Sequence, residues 1–278
     1  MTPTHRTAAP EIWRHGARVP QFANGGPVRE IPEEVPLAIT FNRETYAVMM
    51  GTPADLEDFA TGFALTEGII QSPAEIASLQ VLEHARGIEL RMDLPLPSLE
   101  RLTARKRRLA GPTGCGLCGI DSLEEASRSP RRVPEGGHID AAAILRAMRA
   151  MEPLQTLNAI TRAVHAAALW LPGQGVALLR EDVGRHNALD KLAGAVARAG
   201  IATQRAAVLL SSRVSIEMVQ KAAVVGAPLL VAVSAPTAHA VRLAEAAGLT
   251  LAAIARADGF EVFTGAHRIT TEATSHVA

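Results

Sequence analysis

The fold of the chain is decided by residues 206–254, which read AAVLLSSRVSIEMVQKAAVVGAPLLVAVSAPTAHAVRLAEAAGLTLAAI. Short apolar runs at 206–210, 229–233 and 249–254 alternate with amphipathic segments at 215–225 and 238–247. The apolar runs are continuous, which is typical of strands whose two faces are both covered by helices. This stretch therefore predicts a three-layer α/β domain.

The alternation of predicted helices and strands continues toward the N-terminus, and it indicates where the domains lie. Helical patterns at 140–151 and 157–170 precede a strand at 176–179 and a helix at 187–199, so we place the α/β domain at residues 138–270. A hairpin around residues 42–44, a helix starting at Thr52 and a strand at 88–92 predict a smaller α+β domain at 28–130. Residues 1–27 and 271–278 are expected to be tails, the first of them mobile.

The composition excludes several classes of function. Of 278 residues 48% are hydrophobic, and 28 basic residues balance 28 acidic ones, so the chain is globular without a charge footprint for nucleic acid. Aromatic residues make up only 3%, which leaves few rings for stacking on bases. We find neither a secretory signal nor an apolar stretch long enough to span a membrane, and we expect a cytoplasmic protein with reduced thiols.

The two cysteines form one CxxC pair, Cys115 and Cys118, in the segment GCGLCG. Flanking glycines leave the sulfur atoms accessible, and a tight turn favours the reactive thiolate. Half of a zinc site, a redox dithiol and a sulfur carrier are the three interpretations. Zinc needs about four ligands, and none of the nine histidines stands in a His-x-Glu pair, so no zinc is predicted. A thioredoxin-like dithiol would follow the first strand of a βαβ domain, and this pair does not.

Polar side chains follow three successive strands of the predicted sheet. Asp182, Arg185, His186 and Asn187 come after the first of these strands, Arg213 after the second and Ser234 after the third. Ligands of open α/β sheets bind at such strand ends, where helix N-termini favour anions. The alternative for residues 180–191 is an ordinary helix cap with solvated charges.

Three further polar features have competing interpretations. His165 is either a ligand contact or a buried histidine satisfied by hydrogen bonds. Glu217 and Lys221 are four residues apart and are expected to pair with each other. The basic run at 101–108 is a solvated face that would also attract phosphate groups.

Together these motifs resemble the formate dehydrogenase accessory sulfurtransferases, the FdhD-like proteins. The resemblance spans residues 30–269 and rests on segments at 34–37 (EVPL), 49–59 (MMGTPADLEDF), 62–70 (GFALTEGII), 115–119 (CGLCG), 180–191 (REDVGRHNALDK), 217–221 (EMVQK) and 232–237 (AVSAPT). It implies a C-terminal domain similar to the cytidine deaminase fold without its zinc chemistry, and a homodimer.

The resemblance also implies a function. A cysteine desulfurase would pass sulfur to Cys115, with Cys118 assisting, and the protein would deliver it to a molybdenum bis(molybdopterin guanine dinucleotide) cofactor for formate dehydrogenase. GDP or GMP would mimic part of that cofactor. The cofactor-contacting stretch of the family corresponds to Phe260, Glu261, Val262, Phe263, Thr264 and Gly265. A cofactor chaperone without sulfur chemistry and a dithiol oxidoreductase are the alternatives.

Two positions depart from the family pattern. Arg162 and Ala163 stand where the family usually has two glycines, and Ser212 replaces another glycine. These changes predict altered backbone geometry near the proposed cofactor turns.

Overall fold

The computed structural model describes residues 2–8, 13–14, 17–18, 28–106 and 130–271. The elements of the N-terminal half are β1 (His5–Ala8), β2 (Trp13–Arg14), β3 (Ala17–Arg18), β4 (Arg29–Pro32), β5 (Val35–Phe41), β6 (Glu44–Gly51), α1 (Leu56–Thr66), β7 (Ser78–His84), β8 (Gly87–Asp93) and α2 (Leu96–Lys106).

The elements of the C-terminal half are β9 (Ile139–Asp140), α3 (Ala141–Met151), α4 (Thr156–Thr161), β10 (His165–Leu171), β11 (Gly175–Asp182), α5 (Arg185–Arg198), β12 (Ala207–Leu210), α6 (Ile216–Val225), β13 (Leu229–Ala232), α7 (Ala238–Ala246), β14 (Thr250–Ala253), β15 (Glu261–Thr264) and β16 (Ile269–Thr270). No helix among the described residues is long and apolar enough to cross a membrane.

The N-terminal half is built on a four-stranded sheet in the order β6-β5-β8-β7. The predicted hairpin is present, and its turn residues Asn42 and Arg43 both have positive φ, as a two-residue turn between right-twisted strands requires. Helix α1 covers the sheet with Phe59 and Phe63, whose side chains are buried in the core cluster. The expected helix start at Thr52 is wrong, because α1 begins at Leu56.

The C-terminal half contains a six-stranded sheet in the order β11-β10-β12-β13-β14-β15. Strands β12, β13 and β14 are parallel, and each is followed or preceded by a helix that crosses over the sheet. Apolar residues of α5, α6 and α7 pack on one face, and those of α3 pack on the other. The predicted coverage of both sheet faces is therefore confirmed. The likeness to the cytidine deaminase fold stays a prediction.

The predicted helix at 157–170 is correct over residues 157–161 and wrong beyond them. Helix α4 ends at Thr161, and His165–Leu171 form β10, which lies between β11 and β12 with its middle residues fully buried. The alanine-rich sequence HAAALWL favours a helix by propensity, but pairing with a strand on each side outweighs that preference.

The predicted N-terminal tail contains a strand. Residues His5–Ala8 of β1 pair antiparallel with Arg29–Pro32 of β4, which contacts helix α4 of the C-terminal half. Part of the segment assigned to a tail is thus paired with the folded chain.

Helices α1 and α5 join the two halves through a close backbone contact at two glycines. A Cβ atom on Gly62 would lie 1.7 Å from the carbonyl oxygen of Asp190, and one on Gly194 would lie 1.9 Å from that of Asp58. No side chain fits at these distances, so glycine lets the helices touch. The contact fixes the start of α5 relative to the N-terminal sheet.

Candidate functional site

Strand directions bring the predicted polar segments to one edge of the six-stranded sheet. Strands β11, β12, β13 and β14 end at this edge, and the antiparallel strands β10 and β15 begin there. We call it the carboxyl edge. It collects the turns 183–184, 211–215 and 233–237 together with His165 at the start of β10. The turns 211–215 and 233–237 follow the neighbouring strands β12 and β13, and the start of β10 separates them from the turn 183–184.

Four basic side chains, which we call the basic cluster, gather at the carboxyl edge: His165, Arg185, His186 and Arg213. His165 is the register partner of Asp182, Arg185 and His186 open helix α5, and Arg213 precedes helix α6. Burial lowers the pKa of His165, and the charges of Arg185 and Arg213 lower it further. The arrangement concentrates positive charge around imidazoles that stay neutral, which suits an anionic ligand.

The helix starts at this edge add free backbone donors. Within the described part of the chain, Gly184, the N-cap of α5, has no side chain to cap the helix, and the side chain of Ser215, the N-cap of α6, makes no capping hydrogen bond. The first N–H groups of both helices are therefore uncapped by these side chains, and the helix dipoles place partial positive charge beside the basic side chains.

Three buried polar atoms at the carboxyl edge have no hydrogen-bond partner among the described residues. They are Nε of Arg185, Nε2 of His186 and Oγ of Ser215. A buried polar group without a partner costs about 1–3 kcal/mol, and such groups are rare in native structures. Three of them on adjacent helix starts make the carboxyl edge the candidate site for a polar ligand.

Asp182 is predicted to contact a ligand, but both oxygen atoms of its carboxylate are buried and bonded to other residues of the protein. Its carboxylate is 0% exposed, and its Oδ2 lies 2.7 Å from Nζ of Lys191, which is also 0% exposed. The same oxygen accepts from the backbone N–H of Thr52 at 3.0 Å, and Oδ1 accepts from that of Gly184 at 2.8 Å. We therefore correct the assignment: Asp182 ties the N-terminal half to the carboxyl edge.

Asn187 belongs to the same network. Its Nδ2 donates to Oδ1 of Asp182 at 3.0 Å and to the carbonyl oxygen of Met50 at 2.8 Å. Lys191 completes the network by donating to the carbonyl oxygen of Thr52 at 3.0 Å. We call Asp182, Asn187, Lys191 and Thr52 the interdomain network. Its members position Arg185 and His186, and their own polar groups face the protein.

Lys221 does not form the expected pair with Glu217. Its Nζ lies 2.7 Å from Oδ1 of Asp190, and Thr66 of α1 donates to the same oxygen at 2.6 Å. Burial raises the pKa of Asp190, whereas Lys221 opposes that shift. The sequence spacing suggested a pair within α6, but packing against α1 and α5 offers Lys221 a buried carboxylate.

The segment 260–265 is divided between two edges of the sheet. Glu261 starts β15 opposite Ala253, at the carboxyl edge. Thr264 lies at the other end, where its Oγ1 donates to the carbonyl oxygen of Leu249 at 2.6 Å and accepts from the N–H of Leu251 at 3.0 Å. A four-residue strand separates the two ends. The expectation that all six residues contact one ligand is therefore corrected: Thr264 and Gly265 are on the opposite edge.

The middle of that segment faces in two directions. Phe260 and Phe263 each pack against a core cluster, and Val262 is 38% exposed. Ser234, by contrast, lies at the carboxyl edge two residues after the end of β13 and is half-buried. That Ser234 contacts a ligand stays a prediction.

The departures from the family pattern at Arg162 and Ser212 lie in two turns of the described structure. Arg162 has φ 57° and ends helix α4 in the left-handed conformation that glycine adopts without cost. Ser212 is buried, and its hydroxyl donates to the carbonyl oxygen of Arg213 at 3.1 Å. Arg162 thus carries the strain that glycine would avoid, and the chain still reaches His165.

The predicted cysteines, Cys115 and Cys118, lie outside the described residues. Among the described residues, no group of three or more histidine, cysteine, aspartate or glutamate side chains could hold a metal ion.

The comparisons with known proteins agree with this architecture. A family model described as the FdhD/NarQ family matches residues 32–270. The chain belongs to this family. It is 51% identical over 245 residues to a sulfur carrier protein FdhD from Agrobacterium fabrum, covering 87% of this chain and 89% of the relative. A second sulfur carrier protein FdhD, from Cupriavidus necator, is 46% identical over 273 residues, or 98% and 92% of the two chains.

A solved structure shares the fold of this FdhD/NarQ member. It is a crystal structure of a candidate formate dehydrogenase accessory protein from Desulfotalea psychrophila, with a TM-score of 0.74 and 25% identity. The likeness covers 96% of this chain and all of the other. The fold described here is therefore shared by a protein that matches over its full length.

The first prediction concerns pH. Burial, together with the charges of Arg185 and Lys221 and against the opposing charge of Glu217, lowers the pKa of His186 to about 4. Between about pH 6.5 and 4 the unfolded chain binds a proton at His186 that the folded protein does not, so the free energy of unfolding falls as the pH falls. We therefore compare how far the free energy of unfolding falls between pH 7.5 and 4.5. It should fall by about 2 kcal/mol less in His186→Gln than in the wild type, a value reduced because His186 is only partly buried.

Urea denaturation of both proteins at each pH measures this difference. Other groups, including His165, titrate equally in the two proteins and cancel. Equal losses of stability in the wild type and His186→Gln would contradict a neutral, buried His186.

Proposed function

We propose that this FdhD/NarQ member is a sulfur carrier that supports the maturation of formate dehydrogenase. The observation that carries the proposal is its similarity, at 51% and 46% identity over most of its length, to relatives named sulfur carrier proteins. The single CxxC pair of the chain, Cys115 and Cys118, supplies thiols that can hold a sulfur atom.

Loading of the carrier is a thiol exchange. The Cys115 thiolate attacks the terminal sulfur of a persulfide on a cysteine desulfurase, the S–S bond of the donor breaks, and the donor cysteine leaves as a thiolate. Cys115 then holds the transferred sulfur as a persulfide. No net oxidant is needed, because the persulfide oxidation level passes from donor to carrier.

Unloading uses the second cysteine. The Cys118 thiolate attacks the inner sulfur of the Cys115 persulfide, forms a Cys115–Cys118 disulfide and releases the outer sulfur as hydrosulfide. A cellular thiol then reduces the disulfide and restores both cysteines. The recipient is the molybdenum bis(molybdopterin guanine dinucleotide) cofactor, bound as substrate.

The carboxyl edge is the proposed cofactor site. Arg185, Arg213 and the uncapped starts of α5 and α6 offer charged and neutral donors to phosphate oxygens. The unpartnered Nε2 of His186 and Oγ of Ser215 provide polar contacts for the same ligand. We propose a cytoplasmic homodimer that receives sulfur from the desulfurase and passes the sulfurated cofactor to apo formate dehydrogenase.

The second prediction tests the cofactor site with GDP, which stands in for part of the cofactor. Arg213→Ala and Arg185→Ala are each expected to weaken GDP binding about tenfold or more, because each removes a charge-assisted hydrogen bond. Isothermal titration calorimetry gives the dissociation constants. Arg205→Ala is the control, since Arg205 is exposed just before β12, at the opposite edge of the same sheet.

GDP binding that survives both edge substitutions and is lost in Arg205→Ala would move the ligand to the other edge. Binding lost equally in all three variants would indicate a general effect of charge.

The second candidate function is a cofactor chaperone without sulfur chemistry. The observation that favours it is the group of unpartnered polar atoms at the carboxyl edge, which can bind a ligand without any transfer of sulfur. The cysteine substitutions in the Discussion separate the two candidates.

A further inference from the structure

Ile254 is a β-branched residue in a strained backbone conformation. It follows β14 directly and has φ 54°, in the left-handed region. This conformation is unusual for any residue other than glycine and is a genuine outlier for isoleucine, whose branched Cβ crowds the backbone. Strain of this kind persists only where the surrounding structure imposes it.

Hydrogen bonds on both sides hold Ile254 in place. The next residue, Ala255, donates its N–H to the carbonyl oxygen of Ala232 at 3.1 Å, and the N–H of Arg256 donates to that of Gly259 at 2.8 Å. Ala253 is paired with Glu261 in the sheet. The chain is therefore fixed before and after Ile254, and the strain is built into the end of β14.

The core does not explain the isoleucine. Ala253 and Ala255, on either side of it, are each buried in a core cluster, and Phe260 packs against one. Ile254 itself is half-buried and packs against none of the three clusters. Ile254 thus places a branched apolar side chain where glycine would fit without strain, and that side chain does not pack against a core cluster.

The position of Ile254 relative to the basic cluster suggests its use. Strand β14 lies two strands from β12, so its carboxyl end is about 10 Å from that of β12, at roughly 4.8 Å per strand. Both ends open onto the carboxyl edge, with Ser234 between them at the end of β13. The span suits a nucleotide whose phosphates lie at Arg213, in the turn that follows β12.

We propose that Ile254 is the apolar wall on which the planar heterocyclic ring of the bound nucleotide packs, while the basic cluster holds its phosphates. The assignment rests on the proposed function, because it requires a nucleotide-bearing ligand at the carboxyl edge. Ile254 then selects for ligands that carry a ring, since the basic cluster alone would bind any diphosphate.

Calorimetric titrations with GDP and with inorganic pyrophosphate test this assignment. The proteins are the wild type, Ile254→Ala, Ile254→Gly and the control Val48→Ala, which removes an exposed β-branched side chain from β6. Both Ile254 variants are expected to bind GDP about fivefold or more weakly, because the side chain on which the ring packs is removed. Both should bind pyrophosphate as tightly as the wild type does, because pyrophosphate has no ring. Ile254→Gly should also unfold at a higher temperature than Ile254→Ala, because glycine accepts positive φ without strain.

The outcomes separate this inference from the proposed function. Wild-type affinity for GDP in both Ile254 variants would overturn the role of Ile254 and leave the sulfur carrier intact. Equal losses of GDP and pyrophosphate affinity would also overturn it, because a wall for the ring does not touch the phosphates. A wild type that binds neither ligand would overturn the nucleotide site itself.

Discussion

Replacement of Cys115 by alanine is expected to abolish sulfur loading completely. Incubation of the wild type with a cysteine desulfurase and cysteine should add about 32 Da for each sulfur atom transferred, and a reductant should remove the added mass. Intact-mass spectrometry measures both steps. Cys115→Ala lacks the proposed persulfide-bearing thiol and should gain no mass, whereas Cys118→Ala should load and then release its sulfur slowly.

The two cysteines serve as matched controls for each other. Loading that persists in Cys115→Ala and disappears in Cys118→Ala would reverse their roles. A wild type that gains no mass but still binds GDP would favour the chaperone. In every variant GDP affinity should equal that of the wild type, because the basic cluster at the carboxyl edge contains neither cysteine.

Much of the sheet could be predicted because its strands are short apolar runs bounded by polar turns. The runs ending at Leu210, Ala232 and Ala253 were recognised to within two residues, since only buried strands are apolar without interruption. Parallel strands end at one edge, so the three polar turns had to meet. The carboxyl edge follows from these local signals.

What could not be predicted depends on contacts between distant segments. Strand β10 was read as a helix because its alanines favour helix, and only its neighbours in the sheet decide otherwise. Asp182 and Asn187 were assigned to a ligand because they stand at a strand end. Their partners, Thr52 and Met50, are more than 120 residues away in the sequence, so no local pattern predicts these contacts.

The sequence could not predict which buried polar atoms at the carboxyl edge lack hydrogen-bond partners. Arg185 and His186 were expected to contact a ligand, and the structure leaves one buried nitrogen of each without a partner. Ser215 was predicted only as part of a polar turn, and Ile254 was predicted only as the end of a strand. Its positive φ is imposed by the paired segments on either side, which a reading of local propensity does not include.

The interdomain network makes the second large prediction. Lys191→Met is expected to lower the free energy of unfolding by about 3–5 kcal/mol, because it leaves the carboxylate of Asp182 buried without its cation. It also removes the donor to the carbonyl oxygens of Thr52 and Glu181, at 3.0 and 3.3 Å. Urea denaturation followed by circular dichroism measures the loss.

Arg198 provides a matched control on the same helix. Whereas Lys191 is buried, pairs with Asp182 and donates to the carbonyl oxygen of Thr52, Arg198 forms ion pairs with Asp58 and Glu57 of the N-terminal half, and its side chain is 40% exposed. Solvent screens such a pair, so Arg198→Met should cost only about 0–1 kcal/mol. Equal losses in the two variants would contradict the interdomain network, since they would mean that burial adds nothing to the Lys191 pair. A large loss confined to Lys191→Met would instead mean that the start of α5, and with it Arg185 and His186, is held in position by a buried charge that the N-terminal half helps to satisfy.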